Sequence, residues 1–333
     1  MRRIGARRIL FVRTDRLGET LLNLPTLAAL KAACSDATVT MLAAQTLAPL
    51  LRGAPDIIDN ILCAPRASGG WLPEAIATAR LLRPHRFDVA IVSNPKKSLH
   101  LAVWLAGIPC RIGYDRKWGW LLTHRVPDRT GRGQRHEVDC NLDLIRALGH
   151  DVTAGVCSLS VSSSEERWVE RLLAQQGIDD GATLIAVHPF SSTPQKQWGR
   201  ESFVELMRQL SCAGRATVVV IGEAAAADIE GFESSGVAVI NLVNRLTLPQ
   251  LAALLRRVQL LISVDSGPVH LAAAVGTPTV VLFGTTDPAR GPVRWAPWGT
   301  GHCVIHKASL EAITVTEVVQ AAQQQLAQRK IAG

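Results

Sequence analysis

Val264-Asp265-Ser266-Gly267-Pro268-Val269-His270-Leu271-Ala272-Ala273-Ala274-Val275-Gly276-Thr277-Pro278 holds a strand end, a helix start and a helix stop in one short stretch. The apolar run at 260–264 suits a buried parallel strand. Asp265 or Ser266 is placed to cap the helix that follows. Pro268 sits where an early-turn proline loses no needed hydrogen bond, and Gly276 with Pro278 ends the helix. The helix N-terminus then faces the carboxyl edge of a sheet. Free amides and the positive end of the helix dipole stabilise an anion there, and Gly267 lets that anion approach the backbone. Phosphate is the natural guest, although any strand-to-helix turn of an α/β protein carries small capping residues.

Outward from this turn, short apolar runs alternate with helical patterns in both halves, as doubly wound parallel sheets require. In the first half strands are expected at 8–13, 37–42, 57–62, 88–93 and 111–113, with helices at 72–82, 96–106 and 136–148. Another helix, 19–33, carries Pro25 inside it, which calls for a kink or a break. The polar, arginine-rich segment 115–135 reads as a mobile loop over the site. Small and polar residues at 151–164 mark a domain boundary, giving domains 1–155 and 156–333. Strands resume at 183–187, 216–221, 237–241, 260–264 and 279–283, and a last helix, 316–329, is expected to pack back on the first domain. The fold class is α/β, with two Rossmann-like domains expected to face a central cleft at their carboxyl edges, where such folds bind ligands. Neither half has G-x-G-x-x-G after its first strand, which counts against a dinucleotide oxidoreductase.

The length of 333 residues exceeds what one core usually fills, so two domains are the default. Hydrophobic residues at 47% and charged residues at 19% are those of a globular chain. No apolar run reaches the roughly 20 residues that span a bilayer, and the N-terminus leads directly into a strand pattern without a signal peptide. Seven cysteines without a C-x-x-C point to a reducing, cytoplasmic setting and against disulfides or structural zinc. No metal site and no cofactor are called for. The net charge of +8 is uneven: residues 1–150 carry 22 Lys and Arg against 12 Asp and Glu, while residues 151–333 carry 14 against 16. The first half therefore faces a polyanion or an acidic membrane surface, or is simply a basic surface. Nucleic acid is disfavoured, because the cations are not interleaved with stacking aromatics.

Two further segments carry candidate chemistry. Thr14-Asp15-Arg16-Leu17-Gly18-Glu19-Thr20 follows the first strand and opens a helix, where Glu19 suits the helix dipole. His188-Pro189-Phe190-Ser191-Ser192-Thr193-Pro194-Gln195-Lys196-Gln197-Trp198 follows the first strand of the second half, and its hydroxyls and lysine can bind phosphate oxygens. Trp198 reads as packing. Lys96, Lys97, Arg116 and Lys117 are candidates for binding phosphates, or solvated surface charges.

These segments, together with Thr279-Val280-Val281-Leu282-Phe283-Gly284-Thr285-Thr286-Asp287-Pro288, resemble glycosyltransferase family 9, the heptosyltransferases of bacterial lipopolysaccharide synthesis. Strong matches lie at 8–25, 188–198 and 241–288, and weaker ones at 111–115 and 136–149. The resemblance implies the GT-B fold and a metal-independent, inverting transfer of heptose from ADP-heptose to the lipopolysaccharide inner core. It makes the first domain the acceptor side, with Asp15 and Arg16 beside the lysines, and the second the donor side. Glu19 stands where the family has the Asp of a Leu-Gly-Asp motif, the proposed general base. Its extra methylene moves the carboxylate by roughly 1 Å, a displacement that can cost about 10²-fold, and Asp15 is an alternative base.

On the donor side the resemblance assigns Lys196, Ser191 and Ser192 to the phosphates, Asp265 to sugar hydroxyls, Ser266 and Gly267 to the diphosphate, His270 to a place near the phosphates and Glu223 to the nucleoside. A cation at Lys196 would stabilise the departing diphosphate most in the transition state. The acceptor, lipid A with its core, implies peripheral contact with the cytoplasmic face of the inner membrane. A transferase using another nucleotide sugar, a sugar-nucleotide epimerase and a non-catalytic nucleotide-sugar-binding protein are the alternative readings, since fold alone does not fix chemistry.

Overall fold

The computed structural model describes residues 5–66, 68–155, 158–179, 181–191, 193, 196–226 except 213–215, and 236–332. The chain divides into two compact units, Met1–Cys157 and Ser158–Gly333. The first carries strands β1 (Arg8–Val12), β2 (Thr38–Ala43), β3 (Asn60–Cys63), β4 (Val89–Val92), β5 (Cys110–Tyr114) and β6 (His124–Val126). All pair in parallel, in the order β3-β2-β1-β4-β5-β6. The second carries β7 (Leu184–His188), β8 (Thr217–Val220), β9 (Ile240–Asn241), β10 (Leu260–Val264), β11 (Thr279–Gly284) and β12 (His302–Lys307). Its order, β12-β11-β10-β7-β8-β9, is also wholly parallel.

Both sheets thus follow one winding, in which the first strand of the unit lies beside the fourth and the chain reverses direction between them. Side chains of β1, β4, β7 and β10 are buried on both faces, as sheets covered by helices on each side require. The reversal opens a crevice beyond the carboxyl ends of β1 and β4 in one unit and of β7 and β10 in the other, the usual ligand position of such sheets.

Pro25 breaks the first helical pattern in two, Leu17–Leu21 and Leu24–Ala33, and itself stands in the first turn of the second piece. Strand β3 begins at Asn60, later than expected, because the amides of Ile57 and Ile58 are spent on a turn with the Ala54 carbonyl. The segment 115–135 is not the simple loop expected from its polarity. It contains β6 and short 3-10 turns at Gly119–Leu121 and Thr130–Arg132. Arg111 organises part of it, its guanidinium donating to the carbonyls of Leu121 and Ile108.

The last helix, Val315–Ala332, lies on the second unit's own sheet, with Val318, Ala321 and Ala322 in that core. Trp198 is packing, as expected: it is buried edge-to-face on Phe203 and donates to the Ile313 carbonyl at 2.9 Å. Among the described residues no helix is long and apolar enough to cross a membrane.

Candidate active site

In the second unit, β7 ends in His188 and β10 ends just before Asp265 and Ser266, so the two candidate segments meet at the crevice. Lys196, on the turn after β7, donates to the Asp265 carboxylate across 69 residues of sequence. Burial raises the Asp265 pKa, and Lys196 opposes that rise without cancelling it. The carboxylate is a desolvated acceptor whose partner among the described residues is the Lys196 cation. Both line a small depression of about 50 Å³ with Thr193, Phe283, Thr285 and Arg290.

Helix Gly267–Ala274 begins beside this pair, with Ser266 extended at the N-cap position and Pro268 in the first turn. The expected cap is not made. The Ser266 hydroxyl lies instead 3.2 Å from His188 Nδ1 and 2.9 Å from the Ser263 hydroxyl, which donates to the Val264 carbonyl. His188 Nδ1 also lies 3.1 Å from Ser263 Oγ. Burial pulls the His188 pKa down to about 4, so the imidazole is neutral at pH 7 and ties β7, β10 and the helix start together without a charge. With the serine engaged elsewhere, the helix start keeps its affinity for an anion.

Other donor-side candidates spread more widely. Ser191 accepts from the Thr193 amide at 3.1 Å and shapes the turn that carries Lys196. Ser192 lies outside the described residues. His270 is buried one turn into the helix, away from the residues lining the depression. Glu223 is exposed in the turn beyond β8, one strand further from the crevice. At Gly222, with φ at +136°, an added Cβ would meet Phe190 at 2.7 Å and His188 at 2.9 Å, so that turn packs tightly against the end of β7.

In the first unit, the turn after β1 and the turn after β4 meet in the same way. Arg13 is buried and donates to Asp15 at 2.7 Å and to the Ser93 carbonyl at 3.2 Å, with the Glu137 carboxylate at 3.8 Å. Asp15 is therefore committed to an ion pair. Glu19 is half-buried in the first turn of helix Leu17–Leu21, and its backbone carbonyl accepts a hydrogen bond from Asn23.

Arg16 is exposed at that helix start, Lys96 is half-buried at the start of helix Lys97–Leu105, and Lys97 lies 5.9 Å over the Trp118 ring. Arg116 pairs with Asp128 at 3.1 Å. Burial alone would raise Asp128, but hydrogen bonds from Thr130 and Arg116 outweigh it and lower the pKa. Lys117 is exposed with φ at +43°.

No local sequence pattern marks Arg13, Glu137, His188 as a hub, Ser263, Thr285 or Arg290. The available signal was positional: a charged or polar residue directly after an apolar strand, as Arg13 follows Val12, stands at a crevice.

A family model, Glycosyltransferase family 9 (heptosyltransferase), matches residues 75–321. Lipopolysaccharide heptosyltransferase 3 of Escherichia coli is 28% identical over 297 residues, covering 84% of this chain and 83% of that one. Among solved structures, a glycosyl transferase family 9 protein of Veillonella parvula DSM 2008 superposes with a TM-score of 0.86 at 20% identity, covering 98% and 99% of the two chains. An E. coli structure described as ADP-heptose lps heptosyltransferase II gives 0.79 at 23%, covering 97% and 99%. The two doubly wound units are those of the GT-B class, as expected from the sequence. With its family model covering most of its length, this chain belongs to glycosyltransferase family 9.

Proposed function

We propose that this glycosyltransferase moves a heptose from ADP-heptose to the inner core of a lipopolysaccharide acceptor, with inversion and without a metal. The observation that carries the reading is the Lys196–Asp265 pair beside the start of helix Gly267–Ala274 in a family 9 chain. The diphosphate takes Lys196 and the helix amides. Asp265 then turns to sugar hydroxyls, which a desolvated carboxylate accepts readily. The acceptor hydroxyl attacks the anomeric carbon while Glu19 takes its proton. The bond to the diphosphate breaks, and ADP leaves with the new charge facing Lys196. Asp15 is held by Arg13, which favours Glu19 over it as the base. Ser191, Ser192, Glu223 and His270 complete the donor side. Arg16, Lys96, Lys97, Arg116 and Lys117 serve the acceptor phosphates, with the first unit against the cytoplasmic face of the inner membrane.

Calorimetric titration with ADP, UDP, GDP and CDP, on the parent and on Lys196→Ala, tests the donor assignment. Selective ADP binding that Lys196→Ala loses by tenfold or more is expected. Preference for another base discards the heptose donor, and equal affinity in the variant discards the role of Lys196.

A further inference from the structure

Large apolar side chains left in solvent are concentrated in the first unit. Trp71 is 42% exposed, Leu72 46% and Trp120 68%, and Ile76 is exposed one turn further along helix Trp71–Leu82. Trp71 and Trp120 are joined through Trp118, and Leu72 and Ile76 stand exposed on the helix that carries Trp71. The Trp71 and Trp118 rings meet edge-to-face at 4.9 Å, Trp118 and Trp120 are 5.9 Å apart, and Lys97 lies over Trp118. Helices Trp71–Leu82 and Lys97–Leu105 pack side by side behind it. A soluble surface gains nothing from three clustered indoles, so the patch marks a contact.

The shape of the patch is specified by the backbone. Gly69 and Gly70, with φ at +97° and +100°, turn the chain into helix Trp71–Leu82. Lys117 holds a left-handed conformation that is unfavourable for a non-glycine residue. Beneath it, the fully buried His100 faces the backbone of Lys117 and Trp118. The turn is held in the form that puts Trp118 against Trp71 and sends Trp120 outward.

We infer that Trp71, Leu72, Ile76, Trp118 and Trp120 form a docking surface that inserts into the headgroup layer of an anionic lipid bilayer. Charge complementarity selects this occupant: exposed Lys97 lies over Trp118 and exposed Lys117 directly precedes it, on the half of the chain that carries 22 basic against 12 acidic residues in its first 150. Indole rings favour the boundary between headgroups and acyl chains, and each neighbouring cation adds attraction to anionic lipid. The inference deepens the membrane part of the proposed function and rests on it only for the choice of membrane.

The test uses the full chain and vesicles of phosphatidylethanolamine and phosphatidylglycerol, with no donor or acceptor, so it stays readable if the transferase reading fails. Co-sedimentation is measured for the parent, for Trp71→Ser/Trp120→Ser, and for Val293→Ser, an exposed apolar site of the second unit. Expected are binding by the parent and by Val293→Ser, at least tenfold weaker binding by the double variant, and weak binding of all three to phosphatidylcholine. Quenching of parent tryptophan fluorescence by lipid-attached spin labels guards against a folding defect in the variant. Parent protein that ignores anionic vesicles, equal binding by the double variant, or tryptophans that stay unquenched would each overturn the inference.

Discussion

Lowering the pH from 7 to 5 should loosen the second unit through His188. Its imidazole is buried at the end of β7 and titrates at about 4, against 6.5 in an unfolded chain. Between those values the unfolded chain binds the extra proton and the folded one does not, so the stabilisation is complete above about 6.5 and is lost as pH falls toward 4. At pH 5 the unfolded imidazole is almost fully charged and the folded one almost wholly neutral. Integrating the difference from pH 7 gives a loss of about 2 kcal/mol. That is a sizeable part of the 5–15 kcal/mol that roughly bounds the stability of a domain.

Urea unfolding at the two pH values measures the loss. In His188→Gln the fall between pH 7 and pH 5 should shrink by about 2 kcal/mol. Part of it remains, because burial also lowers His302 to about 4. A variant that keeps the parent's full pH dependence, or a folded imidazole that titrates near 6.5 by NMR, would refute a buried, neutral His188.

Other outcomes are expected from the same geometry. Glu19→Gln should lower kcat by about 10²–10⁴-fold while ADP affinity, read by calorimetry, stays at the parent value. A parent-like kcat would remove Glu19 from the mechanism. Gly284→Ala should cost about 1–3 kcal/mol, seen as a lower urea midpoint, because the new Cβ would stand 2.1 Å from the Leu310 amide nitrogen and 2.6 Å from Ser309. An unchanged midpoint would mean that the segment after β12 yields freely.

The central strands are legible because apolar residues fill nearly all of their positions. Leu260–Val264 matches its expected bounds, β7 is shifted by one residue and β11 runs one residue further. Edge strands carried a weaker signal: β6 is three residues with a charge in the middle, and β12, His302-Cys303-Val304-Ile305-His306-Lys307, mixes polar and apolar positions as a half-exposed edge does. Both were missed.

At the site, the residue types at the crevice were readable from their position after a strand, but their partners were not. Lys196 meets Asp265 only because β7 and β10 are neighbours, a fact of topology rather than of local pattern. Local rules make Asp265 or Ser266 a helix cap and offer the serine nothing else. The buried His188 and Ser263, 78 and 3 residues away, claim its hydroxyl.

The position of β1 at the middle of its sheet bears on how the chain is made. Ile9 pairs with Val39 on one side and with Val89 on the other. During synthesis, at about 5–20 residues per second, the β2 side closes early. The other edge of Ile9, Leu10, Phe11 and Val12, all fully buried in the finished fold, waits several seconds for β4. Until then the nascent chain presents a flat apolar strand edge to its neighbours on the polysome. Slow translation between residues 44 and 88, or a shortage of chaperones, should therefore cut the yield of soluble protein even though no residue of the finished enzyme has changed.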